Sequence, residues 1–598
     1  MSRVSDGREG IGFGLAALVL LAVPFIVNTD YLVGVGITIG LMAIAASGLI
    51  LLVGYAHQLA LGQAAFCIIG GYGSALLTVR AGWDPALAAL VSCAISMFTA
   101  YLIGRPILHL RGFVLAMGSL AVQLVLIHVA IELLDITGGS MGLTGVPRFS
   151  VLGFVFASDT TYYYLVWAVA LVAVMICRNI DRSRIGRALR AISVTEAGAA
   201  SVGIDIARHK VEMFVLSAGL ASIAGSLTAH YLRIMEPQIF SVTYSLNMLI
   251  AVIIGGLWSP WGSVVGAGAL SALREGLRIL SLPLVEVLIV GTVTVAILML
   301  MPRGLMGIVS RAGRNKKPAS LHMHDNAVDQ TVALSFIPPV VGAGQPLLEA
   351  ENLSRAFGSL KAVDDVNFTV REGLITALIG PNGAGKTTTF NLLCGYEQVD
   401  CGNVRFAGTA IENWSADRIA RHGIGRTFQI VQLFEGMTVL ENVMCGRDRF
   451  ARTSLASVIL RLPTLVAEER VACDKALAAL ALVGLTAYAD ADPTTLPFGL
   501  QRQVEFARML ALEPRLILMD EPASGLNDSE TERLGELILR IRAAGSTVLL
   551  VEHNMRLVMG LADHVVVMNR GSKLAEGPPD TIRAMPEVIA AYLGGQVE

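Results

Sequence analysis

Gly380-Pro381-Asn382-Gly383-Ala384-Gly385-Lys386-Thr387-Thr388 is the stretch from which this chain is best read. Its spacing is G-x-x-x-x-G-K-[ST], the pattern of a phosphate-binding loop, with Thr387 in the hydroxyl position. The apolar run Leu374–Ile379 before it predicts a buried strand, and Thr389–Leu393 after it predicts the first turns of a helix. Glycines let the backbone approach phosphate oxygens, while amides and a helix N-terminus point toward anionic charge. Lys386 is placed to neutralise β- and γ-phosphates, and Thr387 to offer its hydroxyl to Mg²⁺.

Further elements follow in a fixed order. Arg515–Pro522 is an apolar strand ending in Asp520 and Glu521. Asp520 at the strand tip can hold Mg²⁺, and Glu521 can accept a proton from an attacking water. A solvated turn could also carry two acids, but adjacent carboxylates at a strand end repel each other. Gln429, in Arg426-Thr427-Phe428-Gln429, supplies a neutral amide. His553 follows the apolar strand Thr547–Glu552 and can reach a γ-phosphate. Phe357, upstream of the phosphate loop, can stack on adenine, although a core aromatic would look the same in sequence.

In this order the elements resemble the ATP-binding cassette (ABC) ATPases over residues 346–598. The resemblance implies ATP and Mg²⁺ as cofactors. It makes Gln429 the Q-loop glutamine with a place at the metal, His553 the switch histidine, and Ser524-Gly525-Leu526-Asn527 the D-loop. The signature of that family usually reads Leu-Ser-Gly-Gly-Gln, whereas this chain has Leu496-Pro497-Phe498-Gly499-Leu500 followed by Gln501. Pro497 has neither the hydroxyl nor the amide hydrogen that the serine offers to a γ-phosphate across a dimer. The expectation is a weakened composite site there and hydrolysis at the site built on Lys386 and Glu521. Gly423–Gln429, the run from Leu433-Phe434 to Glu441-Asn442-Val443, and Ala590–Gly594 narrow the resemblance to LivG-type ATPases of branched-chain amino acid importers.

The first half of the chain is of another kind. Of 598 residues, 54% are hydrophobic and 15% charged, and the mean hydropathy is +0.64. That is too apolar for a wholly soluble enzyme. A formal net charge of −2 without an extended basic patch excludes nucleic acid as a main partner. The seven cysteines are scattered without metal-binding spacing and read as packed, reduced thiols. Apolar runs predict spans at Ile11–Asn28 and near 31–53, 64–79, 85–104, 112–133, 161–177, 211–231, 245–257, 260–273 and 284–301. Some are short and rich in Gly or Pro, so the expected fold is a polytopic α-helical membrane domain of eight to ten spans. It is followed by an α/β P-loop ABC-type nucleotide-binding domain. Arg178, Arg182, Arg184, Arg187, Arg190, Arg208 and Lys210 crowd one loop and place it in the cytoplasm, whereas 134–160 carries only Arg148 and belongs outside. The expected divisions are a permease domain at 1–302, a cytosolic linker at 303–346 and the ATP-binding domain at 347–598. His322 and His324 read as part of the solvated linker.

Gly54–Gln58, Leu61–Phe66, Leu110-Arg111-Gly112 and Thr137–Gly145 resemble the LivM-type permease of the same importers, over most of 30–305. Coupling between the halves needs a segment that sits on the ATPase. The best candidate is Glu196–Ile204, with Glu196, Ala197 and Gly203, whose small residues let a short helix seat in a groove. Polar residues beside the spans, including His57, Gln58, Gln63, Gln123 and Glu236, are either substrate contacts or interhelical hydrogen bonds.

Together the resemblances imply ATP-driven import of branched-chain amino acids across a bacterial cytoplasmic membrane. The implied partners are a second permease subunit, a second ABC ATPase subunit and an external solute-binding protein. The near alternative is the same machine carrying urea or short amides. An exporter, or a regulatory ATPase on a membrane anchor, fits the span pattern and the retained catalytic residues less well.

Overall fold

The computed structural model describes residues 20, 22, 24, 29–108, 110, 112–279, 286–307 and 344–593. Most of the expected first span Ile11–Asn28 lies outside the described residues, as do Arg111, most of the 303–346 linker with His322 and His324, and Gly594. Two compact units divide the chain. One comprises Met1–Gly186, Ala207–Lys317 and Val458–Leu460; the other comprises Arg187–Ile206, Pro318–Ser457 and Arg461–Glu598.

In the first unit, eight described helices are long and apolar enough to cross a membrane: Asp30–Tyr55, Ala64–Ala81, Pro85–Ile107, Phe113–Glu132, Asp159–Asp181, Ile206–Leu232, Pro237–Gly255 and Glu286–Gly307. The span expected at 260–273 does form a helix, Gly262–Ile279, but it is not one of the eight. Arg274, Glu275 and Arg278 in its last turns give it too much charge.

Without a hydrophobic drive between helices in lipid, small residues and buried polar groups hold such a bundle together. Gly70 and Gly225 illustrate the first device. A Cβ at Gly70 would collide with the Ser222 carbonyl, and one at Gly225 with that of Cys67, so the Ala64–Ala81 and Ile206–Leu232 helices cross backbone to backbone. Gln63 illustrates the second. Its Nε2 donates to the Ser217 carbonyl at 2.9 Å and to Ser217 Oγ at 2.7 Å. Gln123 donates to the Phe240 carbonyl at 3.1 Å and accepts from Ser245 Oγ at 2.9 Å. Of the two roles open to these glutamines, the structure gives both the interhelical hydrogen bond.

The second unit is built on two sheets. Strands β1 (Pro346–Phe357), β2 (Leu360–Arg371), β4 (Cys401–Phe406) and β5 (Thr409–Ala410) form an antiparallel sheet in the order β2-β1-β4-β5, with β3 (Ile375–Ile379) lying between β2 and β4 in the chain. β3 is central to the other sheet with β6 (Ile424–Arg426), β7 (Leu516–Asp520), β8 (Thr547–Val551), β9 (His564–Asn569) and β10 (Ser572–Gly577). Its order is β6-β7-β8-β3-β9-β10, parallel except for the β9–β10 pair. Every residue of β3, β7 and β8 is buried, which is why these strands read as unbroken apolar runs.

This strand order brings the separate motifs together. The phosphate loop follows β3, His553 follows β8, Asp520 and Glu521 end β7, and Gln429 follows β6. These four strands are consecutive in the sheet and parallel, so their carboxyl ends share one edge. Ligands bind at such edges in open α/β sheets.

Candidate active site

Three glycines shape the phosphate loop by adopting positive φ: Gly380 at +156°, Gly383 at +80° and Gly385 at +95°. At Gly385 and Gly383 a side chain would strain the turn. The helix that follows is Lys386–Leu393, three residues earlier than the sequence suggested, with Gly385 as its cap. Its first N–H groups therefore belong to the loop itself. Pro381 and Ala384 close the turn through an N–H···O bond of 3.2 Å from Ala384 to the Pro381 carbonyl. Asn382 and Thr387 are exposed at its mouth, while Thr388 is half-buried. Lys386 is buried, and its Nζ donates to the carbonyls of Gly380 at 2.8 Å and Pro381 at 2.9 Å. Burial lowers the pKa of this ammonium, while Glu521 and Asp520 act in the opposite direction.

Glu521 is the meeting point of the remaining groups. Gln429 Nε2 donates to its Oε2 at 2.8 Å, and His553 Nε2 lies 2.8 Å from its Oε1. Glu521 itself has φ +46°, a left-handed conformation that turns its side chain away from the line of β7. Its neighbour Asp520 continues that line into the interior, 3% exposed, where Arg426 Nη2 lies 3.3 Å from Oδ2. Burial pushes the Asp520 carboxyl up, and Arg426 opposes that shift. The two adjacent acids thus point into different surroundings, although the Glu521 charge still adds to the rise at Asp520.

A buried charge network, which the motifs did not reveal, supports this arrangement. Arg502 Nη2 donates to the carbonyls of Gln429 at 3.2 Å and Glu521 at 3.1 Å, and Nη1 donates to that of Phe428. Glu505 accepts the Phe428 N–H at 3.2 Å and pairs with Arg502 at 3.3 Å. Arg508 lies 4.0 Å from the same carboxylate and sits 4.1 Å from the centre of the Phe434 ring. All three charged residues are at most 2% exposed. Their only sequence signal was their spacing on one face of the Phe498–Ala511 helix, which any amphipathic helix could show.

The signature segment leads into that helix. Pro497 is its cap, with φ −54° and ψ 150°, rather than a residue of its first turn, and its carbonyl accepts from the N–H groups of Leu500 at 2.9 Å and Gln501 at 3.0 Å. Leu496 is buried, whereas Pro497 and Phe498 are exposed. Phe498 packs beside Gly525, and Gly499 lies beside Glu530. Phe357 ends β1 with 44% of its surface exposed and the Arg355 guanidinium 4.9 Å from its ring centre.

The segment Arg187–Ile206 folds with this unit. Thr195 caps the short helix Glu196–Ser201 by accepting the Gly198 N–H at 3.2 Å. Ala188, Ala191, Ile192, Ala199, Val202 and Ile204 share a core with Phe434, Met437 and Cys445. Small residues make the approach possible: a Cβ on Gly198 would sit 2.6 Å from Thr195 Cγ2 and 3.3 Å from the Phe434 ring. The rim is polar. Tyr396 donates its hydroxyl to the Ala197 carbonyl at 2.7 Å, Arg421 Nε donates to the Gly203 carbonyl at 2.7 Å, and Arg187 pairs with Glu469 at 2.7 Å.

The donor set fits a nucleoside triphosphate with a divalent cation. A buried lysine turns back on two carbonyls within a cradle of glycines, a helix N-terminus opens onto that cradle, and two carboxylates stand at the end of β7, which β8 separates from β3 in the sheet. Thr387, Gln429 and Asp520 are the residues that would hold the cation.

Residues 31–298 match the family described as "Branched-chain amino acid transport system / permease component". Residues 363–524 match "ABC transporter", and 572–598 match "Branched-chain amino acid ATP-binding cassette transporter". The chain is 44% identical over 251 residues to BraF, a high-affinity branched-chain amino acid transport ATP-binding protein of Pseudomonas aeruginosa, covering 42% of this chain and 98% of that protein. It is 43% identical over 251 residues to LivG of Escherichia coli, a protein of the same description, with the same coverage. A solved nucleotide-free ATP-binding cassette from an ABC transporter is 32% identical and covers 42% of this chain and 100% of that one, with a TM-score of 0.38.

Proposed function

This chain belongs to the ABC transporters, in their branched-chain amino acid branch, and from that premise we propose that it drives import of leucine, isoleucine and valine as a permease and an ATPase on one polypeptide. The observation that carries the proposal is the Glu521 carboxylate, held by Gln429 and His553 beside a phosphate loop, in a chain whose residues 31–298 match a permease family. The chain is a multi-pass membrane protein with a cytosolic ATPase, and its ATPase half binds nucleotide.

In the proposed reaction Lys386 leaves its two carbonyls to neutralise the β- and γ-phosphates of ATP. Glu521 accepts the proton of the attacking water, while Gln429 and His553 orient its carboxylate and the γ-phosphate end of the site. Mg²⁺ at Thr387, Gln429 and Asp520 would neutralise charge on the phosphate oxygens. Phe357 offers its exposed ring to adenine. At Leu496–Gly499, Pro497 leaves the opposite composite site without the usual serine contacts, so hydrolysis there is slower.

The Glu196–Ile204 segment acts as the coupling element. ATP binding draws two nucleotide domains together, this seated helix passes the movement on, and hydrolysis resets the state. The working assembly adds a second permease subunit, a second ATPase subunit and an external solute-binding protein, in a bacterial inner membrane.

Uptake of labelled leucine, isoleucine and valine by native cells, with and without this gene, tests the substrate class. The proposal predicts a loss of uptake on deletion. Undiminished uptake of all three, with urea or acetamide uptake lost instead, would replace it with the small-amide reading.

A further inference from the structure

We propose that Tyr396 is a positioning residue that carries the seating of the Glu196–Ser201 helix to Asp520, through Arg426. The proposal rests on the importer reading for what displaces that helix; the contacts themselves all lie within the nucleotide-binding unit.

Tyr396 stands just beyond the Lys386–Leu393 helix that leaves the phosphate loop. Its hydroxyl donates to the carbonyl of Ala197 at 2.7 Å. Because the acceptor is main chain, this bond reads the position of the short helix rather than the side chain at 197. The Tyr396 ring meets Phe428 edge-on, with centroids 6.0 Å apart and planes at 72°. The Arg426 guanidinium lies 5.2 Å from the centre of each of these two rings. That same guanidinium donates Nη1 to Asn391 Oδ1 at 2.8 Å and places Nη2 at 3.3 Å from Asp520 Oδ2.

One rigid planar cation therefore touches four things: the aromatic that holds the coupling helix, the aromatic next to Gln429, the helix of the phosphate loop, and the acid assigned to the metal. Arg426 is 7% exposed, and among the described residues its Nε finds no hydrogen-bond partner. Water cannot compensate a displacement of such a group, so a shift of the Tyr396 ring is paid for at Asn391 and Asp520. Tyr396 touches neither nucleotide nor metal in this account. It acts through Arg426, whose planar fork a lysine cannot reproduce.

The test uses the full chain, extracted from native membranes with the subunits that accompany it. Three variants are compared with wild type: Tyr396→Phe, which removes one oxygen and keeps the ring; Tyr396→Leu, which removes the ring; and Arg426→Lys, which keeps the charge. Binding of Mn²⁺ with nucleotide, followed by electron paramagnetic resonance, reads the metal side without turnover. Arg426→Lys should weaken Mn²⁺ binding about tenfold, as loss of a group that orients a metal ligand does, and Tyr396→Leu about threefold, the lower end of the cation–π range, because the ring acts on the metal ligand only through Arg426. Leucine taken up per ATP hydrolysed reads the coupling side, and Tyr396→Phe should lower it about three- to tenfold, the range for one lost hydrogen bond.

Wild-type Mn²⁺ affinity in Tyr396→Leu would overturn the link from Tyr396 to Asp520, and wild-type affinity in Arg426→Lys would overturn the link from Arg426 to Asp520. A wild-type uptake-to-hydrolysis ratio in Tyr396→Phe would overturn the link to the coupling helix, and this mild variant decides the matter if the other two do not accumulate. A wild-type chain that takes up no branched-chain amino acid contradicts the importer reading instead, and leaves the Mn²⁺ result to stand by itself.

Discussion

His553 Nε2 lies 2.8 Å from Glu521 Oε1, although 32 residues separate the two in the chain. β7 and β8 are parallel neighbours, so their carboxyl ends deliver both side chains to one edge. Gln429 closes the other side of the carboxylate at 2.8 Å. The contact is half open to water, with the His553 side chain 40% exposed, so it orients a group more than it stabilises the fold. His553→Ala is expected to accumulate and melt like wild type while ATP hydrolysis falls by about two orders of magnitude, in the range for loss of an acid–base partner. A parallel loss of folded protein would show the contact to be structural.

Glu505 behaves differently. It lies fully buried between Arg502 and Arg508 and also holds the Phe428 N–H. Burial pushes its carboxyl pKa up, and the two arginines oppose that shift. Glu505→Ala leaves two buried guanidinium groups without their carboxylate, a change that costs about 3–5 kcal/mol. Thermal unfolding of the extracted chain should show the loss directly, and an unchanged melting temperature would mean that water reaches the network.

Gly198 is closely packed in the segment proposed to couple the two halves. Gly198→Val puts methyl groups where Thr195 and Phe434 already stand. Uptake is expected to fall at least tenfold while the extracted chain still binds nucleotide, since no group at the phosphate loop is altered. Normal uptake by this variant would remove Glu196–Ile204 from the coupling path.

Thiol reactivity offers an independent check of the packing. Burial pushes Cys394 up to about 11 and Cys445 up to about 12, whereas Cys401 is exposed on β4. The thiolate is the reacting form. Near neutral pH a maleimide should therefore label Cys401 well before Cys394 or Cys445, as read by peptide mass spectrometry. Early labelling of Cys445 would place the Glu196–Ser201 helix off its groove, because that cysteine belongs to the core they share.

Local patterns made the phosphate loop, the acid pair and the strand before His553 legible, because each motif carries its own geometry within a few residues. The run Ala197–Gly203 was legible for a related reason: small residues in a charged loop invite close packing. Arg502, Glu505 and Arg508 were not, since their meaning depends on Phe428, Gln429 and Phe434, which lie roughly seventy residues away. Hydropathy located eight spans among the described residues but could not settle Gly262–Ile279, where helix length is sufficient and charge is not. It also could not tell Gln63 as a ligand contact from Gln63 as a tie to Ser217, because both roles bury the same amide.

The most direct test of an ATP-driven importer on one chain is a chromosomal Glu521→Gln change, with labelled leucine uptake and ATP hydrolysis measured on the same cells and on membranes prepared from them. Both are expected to collapse together, by about two orders of magnitude or more, because the amide cannot accept the proton of the attacking water. Leucine uptake at the wild-type rate with hydrolysis abolished would contradict ATP-driven import by this chain.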